Sequence, residues 1–200
     1  MNAALQALNR LREGNQRFAS ASSSAKNPQL RPADTADGQT PFAIILGCSD
    51  SRVPAEIVFD QGLGDLFVIR VAGNIVAPSQ IGSVEFAATN FGTRLVVVLG
   101  HTQCGVVLAA VEQLQMPLDS RSRNLRSIID FVRPSVEQCL REKADEDHEA
   151  LVERAVRANI RSSVEHLRHG SEILEELIEN EGLRIVGAEY CLQSGLVEFL

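Results

Sequence analysis

The chain has 200 residues, 44% of them hydrophobic, which is enough for one globular domain with a sizeable core. Its formal net charge of -7 excludes the basic face that nucleic-acid binding requires. No apolar run approaches the length of a bilayer-spanning helix, and no membrane partner is expected.

The first predicted element is an amphipathic helix over about residues 2–19, with Leu5, Leu8 and Leu11 on one side. It lacks the basic start, apolar block and small-residue cleavage site of a secretory signal. Cytoplasmic localisation follows as the expectation. The polar stretch "ASASSSAKNP" (residues 19–28) and "RPADTADGQTP" after it read as a surface connection within a single domain, residues 1–200.

Four short β-branched runs then appear: "PFAIILG", "DLFVIRVAG", "RLVVVLG" and "LRIVGAEY". Nearly continuous hydrophobicity bounded by Gly or Pro marks parallel strands covered on both faces. Helical patterns alternate with them over residues 80–91, 104–114, 125–140 and 149–179, the last broken at Gly170. The expected fold is therefore α/β: a mainly parallel four-stranded sheet flanked by helices. The tail "SGLVEFL" is a candidate antiparallel edge strand.

Chemistry concentrates at two strand ends. The first run stops in "LGCSDSRVP" (residues 46–54), placing Cys48, Asp50 and Arg52 at alternate positions. The third stops in "GHTQCG" (residues 100–105), which delivers His101 and Cys104. Ligands in open α/β sheets bind outside the carboxyl ends of the strands, so both clusters belong on one rim if the strands are neighbours. Two thiolates and an imidazole suit zinc, and three protein ligands with one open corner is the catalytic arrangement. Cys104 is expected to start a helix, whose N-terminus favours the thiolate. Asp50 would then orient the water at the open corner, and Arg52 would hold Asp50 ionised through a bidentate pair.

Simpler roles exist for each residue. Cys48 alone would read as a buried hydrophobe, His101 alone as a structural histidine, and Asp50–Arg52 as a surface ion pair. Their combination favours the metal site. Arg70 and Tyr190 read as structural, with Arg70 a candidate for pairing across a subunit interface. His148, His166 and His169 read as solvated, and Cys139 and Cys191 as packing residues.

The paired motifs "CSDSR" and "GHTQCG", with "GLGDLFVIRVAGN", "GSVEFA" and the leader "LREGNQRF", resemble the β-class carbonic anhydrases, specifically their plant-like, open-site subgroup. The resemblance covers most of residues 8–105. It implies one Zn²⁺ per chain on Cys48, His101 and Cys104, an Asp50–Arg52 dyad, and reversible hydration of CO2 to bicarbonate and a proton. It also implies a homodimer or homotetramer with sites at the subunit interface, the N-terminal helix packing on a partner. By position, Gln39 matches a substrate-binding glutamine, and Phe67 and Phe86 match aromatic residues lining the partner's cleft. The plant-like members carry tyrosine where this chain has Phe86. Gly105 would offer a backbone N–H to substrate. The inhibitory bicarbonate pocket of some relatives needs a tryptophan where this chain has Ile45, and it is not assigned. Two other functions are compatible with the same motifs: CS2 or COS hydrolysis on the same fold, and a non-catalytic zinc-stabilised oligomer. The intact dyad and Gln39 speak against the second.

Overall fold

The computed structural model describes residues 2–21, 36–114, 122–143 and 147–200. Most of the polar connection after the first helix lies outside the described residues.

The sheet has five strands in the order β2-β1-β3-β4-β5. β1 (Ala43–Gly47), β2 (Leu66–Arg70), β3 (Leu95–His101) and β4 (Arg184–Tyr190) run parallel, and β5 (Val197–Phe199) closes the far edge antiparallel to β4. The expected four-stranded sheet and its edge strand are both present. β2 ends at Arg70, earlier than its apolar run implies. The residues beyond form a tight 3-10 turn, Ala72–Asn74, in which Gly73 has φ +73° and Asn74 has φ +43°.

Alternation along the two central strands explains their unbroken hydrophobicity. Ile44 and Leu46 of β1 and Val96 and Val98 of β3 face one core, while Ile45, Leu95, Val97 and Leu99 face a second. Each core is roofed by helices, so no face of these strands meets water. On the second core lie α1 (Ala3–Ala19), through Ala4, Leu8 and Leu11, and the single turn α2 (Ala55–Val58). On the first lie α3 (Pro78–Asn90), α4 (Gly105–Leu114), α5 (Arg123–Glu142), α6 (His148–His169) and α7 (Glu172–Glu181). The break at Gly170 separates α6 from α7 as expected. Ser171 caps α7 by accepting from the Leu174 N–H.

The winding positions the site. From β1 the chain passes to β2 on one side, then returns past β1 to β3 on the other. β1 and β3 therefore flank the point where the strand order reverses, where a crevice opens at the carboxyl ends. In register, Gly47 lies beside Leu99. Cys48 and His101 leave adjacent strands side by side.

Candidate metal centre

Cys48, His101 and Cys104 are brought together as predicted, all three buried. Their donor atoms lie within 4.8 Å of one another. That spacing allows one ion at bond lengths of about 2.0–2.3 Å. The imidazole is oriented by its own backbone: Nδ1 lies 2.9 Å from the Thr102 carbonyl, which fixes the proton on Nδ1 and leaves the Nε2 lone pair free. Nε2 is fully buried and has no hydrogen-bond partner, a feature shared only with Asn74 Nδ2 among the described side chains. An acceptor nitrogen left bare beside two sulfurs fits a bound metal, because burial without a partner is otherwise costly.

The strand end explains why His101 can lie so deep. Gly100 precedes it, and a Cβ there would come within 2.6 Å of the Ile160 side chain. Gln103 adopts φ +56°, turning the chain so that Cys104 precedes α4 and returns its side chain to His101. The Cys104 carbonyl accepts from the Leu108 N–H, placing this cysteine at the helix start.

A hydrogen bond from Cys104, together with the Gly73 N–H, holds Cys48 as a thiolate far below the ordinary thiol range, against the opposing effect of burial. Cys104 is correspondingly pushed up, first by its hydrogen bond to Cys48 and then by burial and the adjacent thiolate charge. The N–H groups of Val106 and Val107 pull the other way, as expected at a helix start, but the Cys48 thiolate outweighs them. Burial lowers the His101 pKa, yet the Cys48 thiolate, the Thr102 carbonyl and Asp50 together raise it above the ordinary value.

Asp50 and Arg52 form the predicted pair. Arg52 Nε donates to Asp50 Oδ1 at 2.9 Å and Nη2 to Oδ2 at 2.7 Å, while the Arg52 backbone N–H donates to Oδ1 at 3.0 Å. This grip holds the Asp50 carboxyl well below the usual carboxylate range. A cavity of about 800 Å³ lies on the Arg52 side, with Thr102, Gln103, Tyr190 and Cys191 in its walls. Cys191 is thus half-exposed at a cavity wall, whereas Cys139 is buried as read from the sequence.

Other predicted positions fall elsewhere. Gly105 opens α4, and a Cβ there would meet nothing within 4 Å. Gln39 is exposed and precedes β1. The length of that strand, about 16 Å, separates it from its own chain's cluster. Phe67, beside Ile44 in register, packs against Phe86 and Phe91 at ring separations of 6.2 and 6.0 Å. Phe86 is 51% exposed at this outer edge of the sheet. These three residues are not gathered at their own chain's metal cluster. Ile45 is fully buried in the core.

Sequence reasoning missed the supports. Arg70 donates to the carbonyls of Cys48 (3.1 Å) and Asp50 (2.6 Å), fixing the backbone between Cys48 and the Asp50–Arg52 pair. Gly73 donates its N–H to Cys48 Sγ at 3.4 Å. The Gly73 and Asn74 carbonyls in turn accept from Asn159 Nδ2 (2.8 Å) and Ser163 Oγ (3.0 Å) on α6. A signal for the last two is present in the sequence. Both fall inside the apolar stripe that runs through Leu151, Ala155 and Leu167, where a polar residue needs a buried partner.

Known proteins resemble this chain in sequence and in fold. The family model described as carbonic anhydrase matches residues 43–197. The chain is 38% identical over 195 residues to carbonic anhydrase 2 of Mycobacterium tuberculosis, covering 92% of this chain and 87% of that one. It is 36% identical to the carbonic anhydrase of Mycolicibacterium smegmatis, covering 94% and 89%. Among solved structures, the β-carbonic anhydrase CafA of Aspergillus fumigatus superposes with a TM-score of 0.77 at 29% identity, covering 90% and 85%. One of two tetrameric β-carbonic anhydrases from Sordaria macrospora gives 0.76 at 25% identity, covering 92% and 93%.

Proposed function

The chain belongs to the β-carbonic anhydrase family, and from that premise we propose that Cys48, His101 and Cys104 hold one Zn²⁺ for the reversible hydration of CO2. The observation that carries the zinc reading is the buried, unpartnered Nε2 of His101 facing two cysteine sulfurs. Soft sulfur donors with one imidazole select zinc over the hard, oxygen-loving cations. Zinc, when bound, supplies the Lewis acidity that makes water nucleophilic near neutral pH.

The chain's own groups do the rest. Asp50 stays ionised under Arg52, so it can only accept a hydrogen bond. A water beside it is turned with one proton toward the carboxylate and a lone pair toward the substrate carbon. Attack forms the new C–O bond, one C=O bond of CO2 becomes a C–O⁻, and the water's proton leaves to solvent. The Gly105 N–H, at the positive end of α4, offers a donor to the developing bicarbonate oxygen. Arg52 donates to both Asp50 oxygens, so the carboxylate would be retained as a hydrogen-bond acceptor beside the metal rather than as a ligand to it. That is the open-site arrangement.

Assembly completes the cleft in this reading. Phe67, Phe86 and Gln39 serve a neighbouring subunit of a homodimer or larger assembly. Support comes from the exposed Phe86 and the unpaired outer edge of β2. No helix of the described residues is long and apolar enough to cross a membrane. All four cysteines are free, which suits the reducing cytoplasm.

Stopped-flow CO2 hydration on protein of measured zinc content is the test. Absence of turnover in fully zinc-loaded oligomer would refute the proposal.

A further inference from the structure

The site's most specific support comes from far along the chain. Asn159 and Ser163 are 2% and 5% exposed, one helical turn apart on α6. Both aim polar groups at the 3-10 turn Ala72–Asn74. That turn holds two consecutive left-handed residues, Gly73 at φ +73° and Asn74 at φ +43°. For asparagine this conformation costs about 1 kcal/mol or more. Within the turn, Asn74 N–H donates to the Val71 carbonyl at 3.0 Å. The carbonyls of Gly73 and Asn74 point outward, and α6 captures them.

With both carbonyls captured, the Gly73 N–H is aimed at Cys48 Sγ. Gly73 cannot be replaced easily, since a Cβ would approach Val106 Cγ1 to 2.9 Å. α4 and α6 thus close on the turn from two directions, and Cys48 receives a backbone N–H from a neighbouring element. An N–H donated to a thiolate ligand withdraws electron density from sulfur and fixes its lone pairs, which tunes its bond to a metal.

We infer that Asn159 and Ser163 are positioning residues for the metal, acting through Gly73 on the Cys48 thiolate. The inference rests on the reading of Cys48, His101 and Cys104 as the ligand set. Neither residue touches the ligands. Their effect passes through two peptide groups, so it falls on the sulfur–metal bond as well as on folding.

The probe is Co²⁺ substituted into the full-length protein, with zinc affinity measured separately by chelator competition. Wild type should show the intense thiolate-to-cobalt charge-transfer absorption. Its absence would defeat the ligand assignment itself, and the inference with it. In Asn159→Leu and Ser163→Ala the absorption should move to longer wavelength, because a sulfur relieved of its N–H donor gives up charge more readily. Zinc should bind about tenfold more weakly. Ser163→Thr retains the hydroxyl donor and should restore both properties. If Asn159→Leu does not fold, Ser163→Ala against Ser163→Thr decides alone. Folded variants with wild-type absorption and zinc affinity, even at a lowered melting temperature, would reduce the pair to packing residues and overturn the inference.

Discussion

Asp50 Oδ2 stands 3.8 Å from His101 Nε2 while accepting a hydrogen bond from Arg52 at 2.7 Å. One oxygen thus faces both the ligand set and the cation that keeps it charged. The carboxylate lies beside the donor cluster and is held there by Arg52.

Removing that carboxylate's charge should separate metal binding from turnover. Asp50→Asn and Arg52→Ala are expected to keep about one zinc per chain. Their CO2 hydration should fall by about 10–100-fold. Zinc analysis beside stopped-flow kinetics checks this; near-wild-type kcat in either variant would make the pair dispensable.

Removing a ligand should do the opposite. Cys48→Ser and Cys104→Ser are expected to lose zinc and activity together, since each sulfur is buried and no other thiol is close enough to substitute. Full zinc occupancy in both variants would contradict the ligand assignment.

The pH behaviour follows from the direction of the Asp50 shift. Its folded pKa is depressed below the ordinary 3.8 by the hydrogen bonds from Arg52. The ion pair's contribution to stability is therefore present above the unfolded pKa and lost only as pH falls through the lower folded value. Any activity change between about pH 6 and 8 must come from another group. In Asp50→Glu its midpoint should stay where it is in wild type, and a midpoint displaced by a full unit would reassign it to this carboxylate.

Gly100 offers a packing test independent of zinc. A methyl group there would sit 2.6 Å from both Cδ1 and Cγ1 of Ile160. Gly100→Ala should cost about 1–3 kcal/mol. Adding Ile160→Ala should recover part of that loss, giving a favourable coupling in a double-mutant cycle. Strictly additive losses in denaturant melts would show that the two side chains do not meet.

Assembly can be examined through Phe86, half-exposed beside Phe67 and Phe91. Phe86→Glu should shift light-scattering mass toward the monomer and lower activity in proportion. A wild-type monomer active at assay concentration would remove the partner's aromatic residues from the cleft.

The proposed ligands were readable from sequence because each follows an apolar run with the pattern of a buried strand. Cys48 and His101 needed nothing more than adjacent strand ends. The supports were hidden for a physical reason. Asn159 reaches Gly73 across 86 positions of sequence, and no local pattern says which carbonyl a helix will meet. Arg70 showed its charge but not its target, since a guanidinium can serve a backbone carbonyl as readily as a carboxylate. Phe67 and Phe86 were legible only by resemblance. In the structure they occupy a sheet edge remote from their own chain's cluster.

The strand order also has a consequence in time. β1 and β3 can pair, and all three donor atoms can meet, once residue 104 has been synthesised. At that stage the turn bearing Gly73 has nothing on its outer side, and β3 keeps a bare edge until β4 arrives at Arg184. A nascent chain halted between these points would carry a complete set of donors on an unfinished sheet. It could sequester metal before it could fold around it, and its open β3 edge would invite other strands.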